Sequence, residues 1–586
     1  MKTFFGSLLG SFLGAIIGLI IIFFIIIGMF IGLAKSVKTQ SVQAVSSNSI
    51  LEIKLNHTIR ERTPENPFNF GFDDNTTIRE TSGLNDIIAC IRNASTDTKI
   101  KGIYLDLSDI PAGISTLQTI RKELQDFKTS GKFIIAYGIG YSQKSYYLAS
   151  VADKIYLYPE GEIFLKGIAA ELLFYKKALD KLGIQVQVFR HGRFKSFVEP
   201  YILDKMSPDN KIQLRGLLTS IWDNMLSDIA VSRRLTVSAI NGMADSLSIN
   251  SAKEALNYKL VDSLLYPDQV KEDLKKMGST SGDNSFVGVD EYRRSFSTNN
   301  LSSGKIAVIY ANGDISQGQG DDETIGSTRI SKAIQDARLD ANVKAIVLRV
   351  NSPGGDGIAS DIIWREVALA KKAKPVIVSM GDYAASGGYY ISCAATEIVA
   401  EPTTITGSIG VFGLLPNAKG LLEDKLGITF DTVSTNTHSA APSLCYPLEP
   451  REAMVLQNAI EDFYHNFLTK VADGRNMTVA QVDSIGQGRV WSGEQARKIG
   501  LVDTLGSMKV AIAIAAKKAN ITSYSIEELP QQINPLQKFL NSISDEATEV
   551  FLKERFGSIY KPIEDITKLG NIKGVQARIP YDINIQ

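Results

Sequence analysis

Four pairs of short segments recur along this chain in the same order, at a nearly constant spacing near 240 residues. Lys101-Gly-Ile-Tyr-Leu-Asp-Leu107 matches Lys344-Ala-Ile-Val-Leu-Arg-Val350, and Tyr146-Tyr-Leu-Ala-Ser-Val-Ala-Asp-Lys-Ile155 matches Tyr389-Tyr-Ile-Ser-Cys-Ala-Ala-Thr-Glu-Ile398. Lys181-Leu-Gly-Ile184 returns as Lys425-Leu-Gly-Ile428, and Leu260-Val-Asp262 as Leu501-Val-Asp503. One such match is chance; four in register are a duplication, so the chain must build one architecture twice. Within each half, short apolar runs such as Phe133-Ile-Ile-Ala136 and Pro375-Val-Ile-Val378 read as buried strands. They alternate with helical periodicity over Ser115–Phe127 and Gly357–Ala373, which predicts an α/β fold with crossovers.

Composition narrows the function classes. The 586 residues, 44% apolar and 22% charged, exclude a disordered or fibrous chain. Lys plus Arg equals Asp plus Glu at 63 each, so there is no basic field to attract nucleic acid. Cys90, Cys393 and Cys445 are too scattered for a disulfide framework, and no Cys/His spacing predicts a metal site.

No charged residue lies between Lys2 and Lys35. The run Phe12–Ala34, 23 residues long, would span ~35 Å as a helix, enough for a hydrocarbon core of ~30 Å. A cleaved signal peptide has an apolar region of only ~7–15 residues, so residues 1–34 are expected to be a retained membrane anchor. Lys2 and the terminal amine balance Lys35 and Lys38, so the charge count leaves orientation open. The expected organisation is this anchor, a first repeat over 48–277, a polar linker over 278–304, a second repeat over 305–529 and an extension over 530–586. An amphipathic helix is expected near Leu536–Phe556.

Three glycine-rich segments follow strand-like runs in the second half: Asn351-Ser-Pro-Gly-Gly-Asp356, Gly381-Asp-Tyr-Ala-Ala-Ser-Gly-Gly388 and Thr406-Gly-Ser-Ile-Gly-Val-Phe-Gly413. Gly354 and Gly355 leave backbone N–H groups unobstructed, as an oxyanion site requires. Ser386 sits among small residues with the Gly387 N–H beside it, and Gln143 and Lys144 stand at the corresponding places in the first half. Each segment alone reads as an ordinary strand-end turn; together they predict one nucleophile in one copy. A serine nucleophile needs a base. Of His57, His191, His438 and His465, only His191 falls near a suggestive segment, Arg190-His-Gly-Arg-Phe-Lys-Ser196, which also holds Lys195. A lysine serves only if burial brings its pKa down from about 10.4 towards the working pH. Phe194 and Phe197 flank Lys195, and the residues by themselves leave the choice of base open.

Gly192-Arg-Phe-Lys-Ser-Phe-Val-Glu-Pro-Tyr201 resembles the GKYKSAVEPF-type segment of the signal peptide peptidase A (protease IV) family. Asn351-Ser-Pro-Gly-Gly355, Ala385-Ser-Gly-Gly-Tyr-Tyr390, Thr406-Gly-Ser-Ile-Gly410 and Gly488-Arg-Val-Trp-Ser-Gly-Glu-Gln-Ala496 resemble it too, over nearly the whole chain. The resemblance is to the long, two-repeat form and implies Clp-protease/crotonase-like domains of repeated ββα units after one N-terminal transmembrane helix. It implies Ser386 as nucleophile, Lys195 as general base, Ser408 holding the lysine, and Gly354 or Gly355 with Gly387 as oxyanion donors. It further implies no cofactor or metal, signal-peptide remnants and unfolded peptides as substrates, and a homotetramer. The body would stand on the extracytoplasmic side of a bacterial cytoplasmic membrane. A crotonase-like acyl-CoA enzyme or a non-catalytic membrane scaffold are the competing expectations.

Overall fold

The computed structural model describes residues 45–64, 82–278, 286–297, 304–533 and 574–578, with isolated helical positions 14, 17, 18, 20 and 21. The rest of the expected anchor and the helix expected near Leu536–Phe556 lie outside the described residues. Among the described residues no helix is long and apolar enough to cross a membrane.

The first half contributes β1 (Ser49–Lys54), β2 (Ile100–Asp106), β3 (Phe133–Gly138), β4 (Lys154–Leu157), β5 (Gln185–Arg190), β6 (Ser263–Leu264) and β7 (Phe286–Gly288). All but β5 form one sheet in the order β6-β4-β3-β2-β1-β7, with every neighbouring pair parallel. The second half contributes β8 (Lys305–Asn312), β9 (Asp314–Ser316), β10 (Thr324–Gly326), β11 (Val343–Ser352), β12 (Gly354–Asp356), β13 (Val376–Ala385), β14 (Glu397–Ala400), β15 (Ile405–Gly407), β16 (Phe412–Asn417), β17 (Val490–Ser492), β18 (Thr504–Leu505), β19 (Ser525–Leu529) and β20 (Gln576–Arg578). Its main sheet repeats the path of the first as β18-β14-β13-β11-β8-β19. The duplication is therefore a duplication of strand order. β7 lies inside the stretch expected as a linker, where it pairs in parallel with β1 and extends the first sheet.

Both main sheets are covered on both faces, which is why their strands are near-continuous apolar runs. Alternate residues of β11 divide between two cores: Ile346, Leu348 and Val350 enter one, Ala345 and Val347 the other. Helices Ser327–Leu339 and Gly357–Ala373 pack on the first face, and Met508–Lys518 closes the second. Asp356 starts the helix Gly357–Ala373 by accepting from Ala359 N at 2.7 Å, satisfying one orphan donor of its first turn.

A third sheet, β10-β9-β12-β20-β16-β5, joins the halves. β5 leaves the first half and pairs antiparallel with β16, from Phe412↔Arg190 to Asn417↔Gln185. Polar contacts fasten the seam behind it. Thr116 Oγ1 donates to Asp382 Oδ2 at 2.6 Å, Thr403 Oγ1 to Gln118 Oε1 at 2.6 Å, and Thr119 Oγ1 to Glu401 Oε1 at 2.8 Å. Arg349 and Glu61 form a buried bidentate pair (2.9 and 3.0 Å), and Arg349 Nη1 also donates to Ser379 Oγ and Met380 O. Removing one member of a buried pair leaves the other charge without compensation. Arg349→Met is therefore expected to cost about 3–5 kcal/mol in urea unfolding. Arg349→Met with Glu61→Leu should regain much of that loss, and an equal loss in both variants would contradict this account.

Candidate active site

Ser386 stands at the C-terminal end of β13, immediately before the helix Gly387–Ser392. Its backbone takes φ 55°, ψ −112°, a conformation that side-chain-bearing residues rarely adopt and that costs on the order of 1–3 kcal/mol. The turn is held from both sides: Ser386 N donates to Gly407 O (2.8 Å), and Tyr390 N donates to Ser386 O (2.8 Å). The result is a hydroxyl projected from the sheet end at the start of a helix.

Lys195 reaches that hydroxyl from the other half. β5 carries the chain along β16, and the segment after it turns back so that Lys195 Nζ lies 2.7 Å from Ser386 Oγ. Nζ is also 3.1 Å from Ser408 Oγ and 3.3 Å from Ser408 O. A neutral amine has two N–H donors and one lone pair. Ser408 offers acceptors for both donors, which leaves the lone pair for the Ser386 proton. Gly410 O, the other acceptor near Ser386 Oγ, is more distant at 3.3 Å.

Lys195, Ser386 and Ser408 are buried, at 0, 0 and 1% exposure. Burial alone pushes the Lys195 amine well below the usual lysine range, with no carboxylate beside it to restore the charge. The enclosing surface is largely backbone. A Cβ on Gly488 (φ +81°) would stand 2.6 Å from Lys195 N, so only glycine lets this turn approach so closely. Of the flanking aromatics, Phe197 stacks on Phe412 at 4.6 Å and shields the segment. Phe194 instead carries the Arg489 guanidinium on its ring at 5.1 Å.

The two oxyanion candidates of the Asn351–Asp356 turn differ. Gly354 N donates to Ser352 Oγ (3.1 Å), which takes that N–H away from the site. Gly355 N lies beside the Ser386 turn, 3.2 Å from where a Cβ on Gly387 would stand. Gly387 opens its helix, so its own N–H has no intrahelical acceptor. His191 turns elsewhere, with Nδ1 2.5 Å from Glu461 Oε2 and its ring stacked on Tyr464. Among the described residues no histidine, cysteine or carboxylate cluster could hold a metal.

Gln213, on the helix Pro208–Arg233, carries no motif and was not singled out by sequence. It donates to Phe194 O and Ser196 Oγ (both 3.0 Å) and accepts from Val490 N (3.3 Å), stitching the lysine segment to β17. Only its polarity on a buried helical face could have signalled it.

A buried serine hydroxyl on a buried amine, beside converging backbone N–H groups, has the layout of an acyl-transfer hydrolase. Two stretches, 126–280 and 368–522, one in each half, match the family described as Peptidase family S49. The chain is 41% identical over 475 residues to "Protease 4" of Salmonella typhi, a match covering 79% of this chain and 76% of that one. It is 35% identical over 520 residues to "Protease 4" of Haemophilus influenzae, covering 83% of each. It is 34% identical over 465 residues to "Serine protease SPPA, chloroplastic" of Arabidopsis thaliana, covering 77% of this chain and 68% of that one. The chain belongs to peptidase family S49 and is a serine peptidase with the family's domain present twice.

Gln213→Leu is expected to lower kcat about a hundredfold, because small displacements of a catalytic base have effects of that order, while KM for a peptide stays near the wild-type value. Unchanged kcat would show that the lysine segment holds its place without this side chain.

Proposed function

We propose that Ser386 is the nucleophile and Lys195 the general base of a membrane-anchored endopeptidase that degrades signal-peptide remnants and other short or unfolded peptides. The observation that carries the assignment is the 2.7 Å approach of Lys195 Nζ to Ser386 Oγ inside a fully buried site. Ser386 Oγ attacks the peptide carbonyl as its proton passes to Lys195 Nζ. Ser408 orients the amine. Gly355 and Gly387 N–H groups receive the developing oxyanion, a single donor of this kind being worth about 3–4 kcal/mol in comparable sites. Lys195 then protonates the departing amine, and water hydrolyses the acyl-enzyme with Lys195 again as base.

Each half is read as a Clp-protease/crotonase-like domain, supported by the repeated parallel strand order. The anchor reading is supported by the charge-free run Phe12–Ala34. Similarity to bacterial "Protease 4" proteins supports a place at the cytoplasmic membrane. As the family resemblance implies, the body is read as facing the extracytoplasmic side of that membrane, with a homotetramer enclosing the sites.

Ser386→Ala and Lys195→Ala, purified in detergent, are each expected to lose at least about 10⁴-fold in kcat on a signal-peptide-like substrate; turnover equal to wild type in either would remove that residue from the mechanism. Only neutral Lys195 accepts a proton, so kcat/KM should fall as pH drops through its depressed pKa. The same burial has a stability consequence. Between that depressed pKa and the unfolded value of about 10.4, the unfolded chain binds more protons at this site than the folded one, so stability rises with pH across the window. Lys195→Met should therefore raise Tm at neutral pH while abolishing hydrolysis, with the difference shrinking towards pH ~10.4. A lower Tm at neutral pH would contradict the neutral-lysine account.

A further inference from the structure

The turn Glu401–Thr404 leads from β14 into β15, and β15 serves both serines of the site. Gly407 O accepts from Ser386 N, and Ser408 follows directly on the strand. The turn is bound on every side. Glu401 N donates to Thr404 Oγ1 (3.1 Å), Thr404 Oγ1 donates to Gly381 O of β13 (2.8 Å), and Glu494 N donates to Pro402 O (3.0 Å). It also has no slack, since a Cβ on Gly493 would stand 2.0 Å from Glu401 O. A shift of this turn is passed along β15 to the contacts of Ser386 and Ser408.

The Glu401 side chain points the other way, across the seam to the first half. It is 7% exposed and takes one hydrogen bond, from Thr119 Oγ1 (2.8 Å); among the described residues no ion pair reaches it. Burial above all holds this carboxyl up at about 7, and Asp382 on β13 and Asp228 on the helix Pro208–Arg233 push the same way. The Thr119 bond and the charge of Arg349, itself committed to Glu61, offset this only in part. Glu494, beside Pro402, is paired with Lys498 at 2.7 Å.

A buried carboxylate with one neutral donor is costly, and relief lies close by. A cavity of about 670 Å³ opens along the seam beside Glu401 and Pro402. The helix Ile114–Lys128 lends it Arg121, Lys122, Glu123 and Asp126, and the helix Met508–Lys518 lends it Lys509 and Lys517. Lys509 is held by Asp126 (2.8 Å) and Glu123 (3.7 Å). Lys517 forms no ion pair among the described residues and is free to meet a carboxylate that turns into the cavity.

We propose that Glu401 is a pH-sensitive positioning residue for the dyad. Protonated, it keeps the turn seated on Thr119 and the seam closed; ionised, it swings into the seam cavity and draws β15 from the geometry that Ser386 and Ser408 need. The proposal rests on the Ser386–Lys195 reading. The two titrations are opposed, because Lys195 must lose a proton to act and Glu401 must keep one. The acid limb of the pH profile then belongs to Lys195 and the alkaline limb to Glu401.

The test is kcat/KM on a fluorogenic peptide between about pH 5 and 10, with Tm on the same samples, for full-length wild type, Glu401→Gln and Ser386→Ala in detergent. The amide of Glu401→Gln imitates the protonated carboxyl and cannot ionise. It is expected to match wild type near pH ~6 and to exceed it about tenfold near pH ~9, within the 5–150-fold range usual for coupling between distinct sites. Between the unfolded value of about 4.3 and about 7, the folded chain holds more protons at this carboxyl than the unfolded one. Wild-type stability therefore falls as pH rises across that window, and the Tm advantage of Glu401→Gln should grow through it and then level off. Parallel pH profiles for the two proteins overturn the proposal and leave the dyad standing. So does a Glu401→Gln that is slower at every pH yet keeps the alkaline limb, or a Tm difference that does not change with pH. Turnover by Ser386→Ala equal to wild type overturns the dyad reading and the proposal with it.

Discussion

The structure of the site depends on one unfavourable act, the burial of a lysine with no carboxylate beside it. Burial disfavours the ammonium form, so the amine sheds its proton more readily than an ordinary lysine and is better placed to take one from a hydroxyl. Neither half can enclose Lys195 alone. The residue arrives on the strand-loop after β5 and is closed over by Ser408, Gly410 and Gly488 of the second half. The β5–β16 ladder is therefore more than a domain contact, because it brings the Lys195 amine and the Ser386 hydroxyl to hydrogen-bonding distance.

The same requirement accounts for the divergence of the two copies. At the first-half position matching Ser386, Gln143 donates from Nε2 to Gly167 O and accepts at Oε1 from the N–H groups of Lys166 and Gly167. A side chain bonded back to its neighbouring loop on both its donor and acceptor sides has nothing left with which to attack a substrate. The first copy has become scaffold, contributing the strand that carries the lysine and the seam residues Glu61, Thr116, Gln118 and Thr119. A strained serine backbone persists only where its surroundings over-determine it, and the Arg349–Glu61 pair and the Asp382 and Glu401 contacts lie beside the strand that ends in Ser386.

Much of this was legible in the residues because its causes are local. Strand runs such as Val376–Met380 and the helix Gly357–Ala373 follow from apolar period and capping, and the helix has the bounds its sequence predicts. The glycine-rich turn before Gly387 and the duplication are also patterns along the chain. Other features are not local. The polar stretch around 286–297 reads as linker by composition, yet three of its residues add β7 to the first sheet, because an open parallel edge beside β1 accepts any short extended segment. Gln213 shows nothing along the sequence, since its partners lie on segments far removed from it.

By itself, then, the sequence determined that the chain is a doubled α/β protein and that small residues surround one serine in one copy, while leaving His191 and Lys195 both open as its base; these follow from periodicity and residue type. The tertiary structure alone decided which of Gly354 and Gly355 keeps its N–H for the site, because that depends on Ser352 Oγ capturing the other. It alone pushed the Lys195 amine down from the usual lysine range, because desolvation is a property of everything packed around a side chain and not of its neighbours in the chain. It alone brought Gln576–Arg578 alongside Gly354–Asp356, because an antiparallel strand is recruited by an open backbone edge, whose hydrogen bonds are blind to how far along the chain their partner lies.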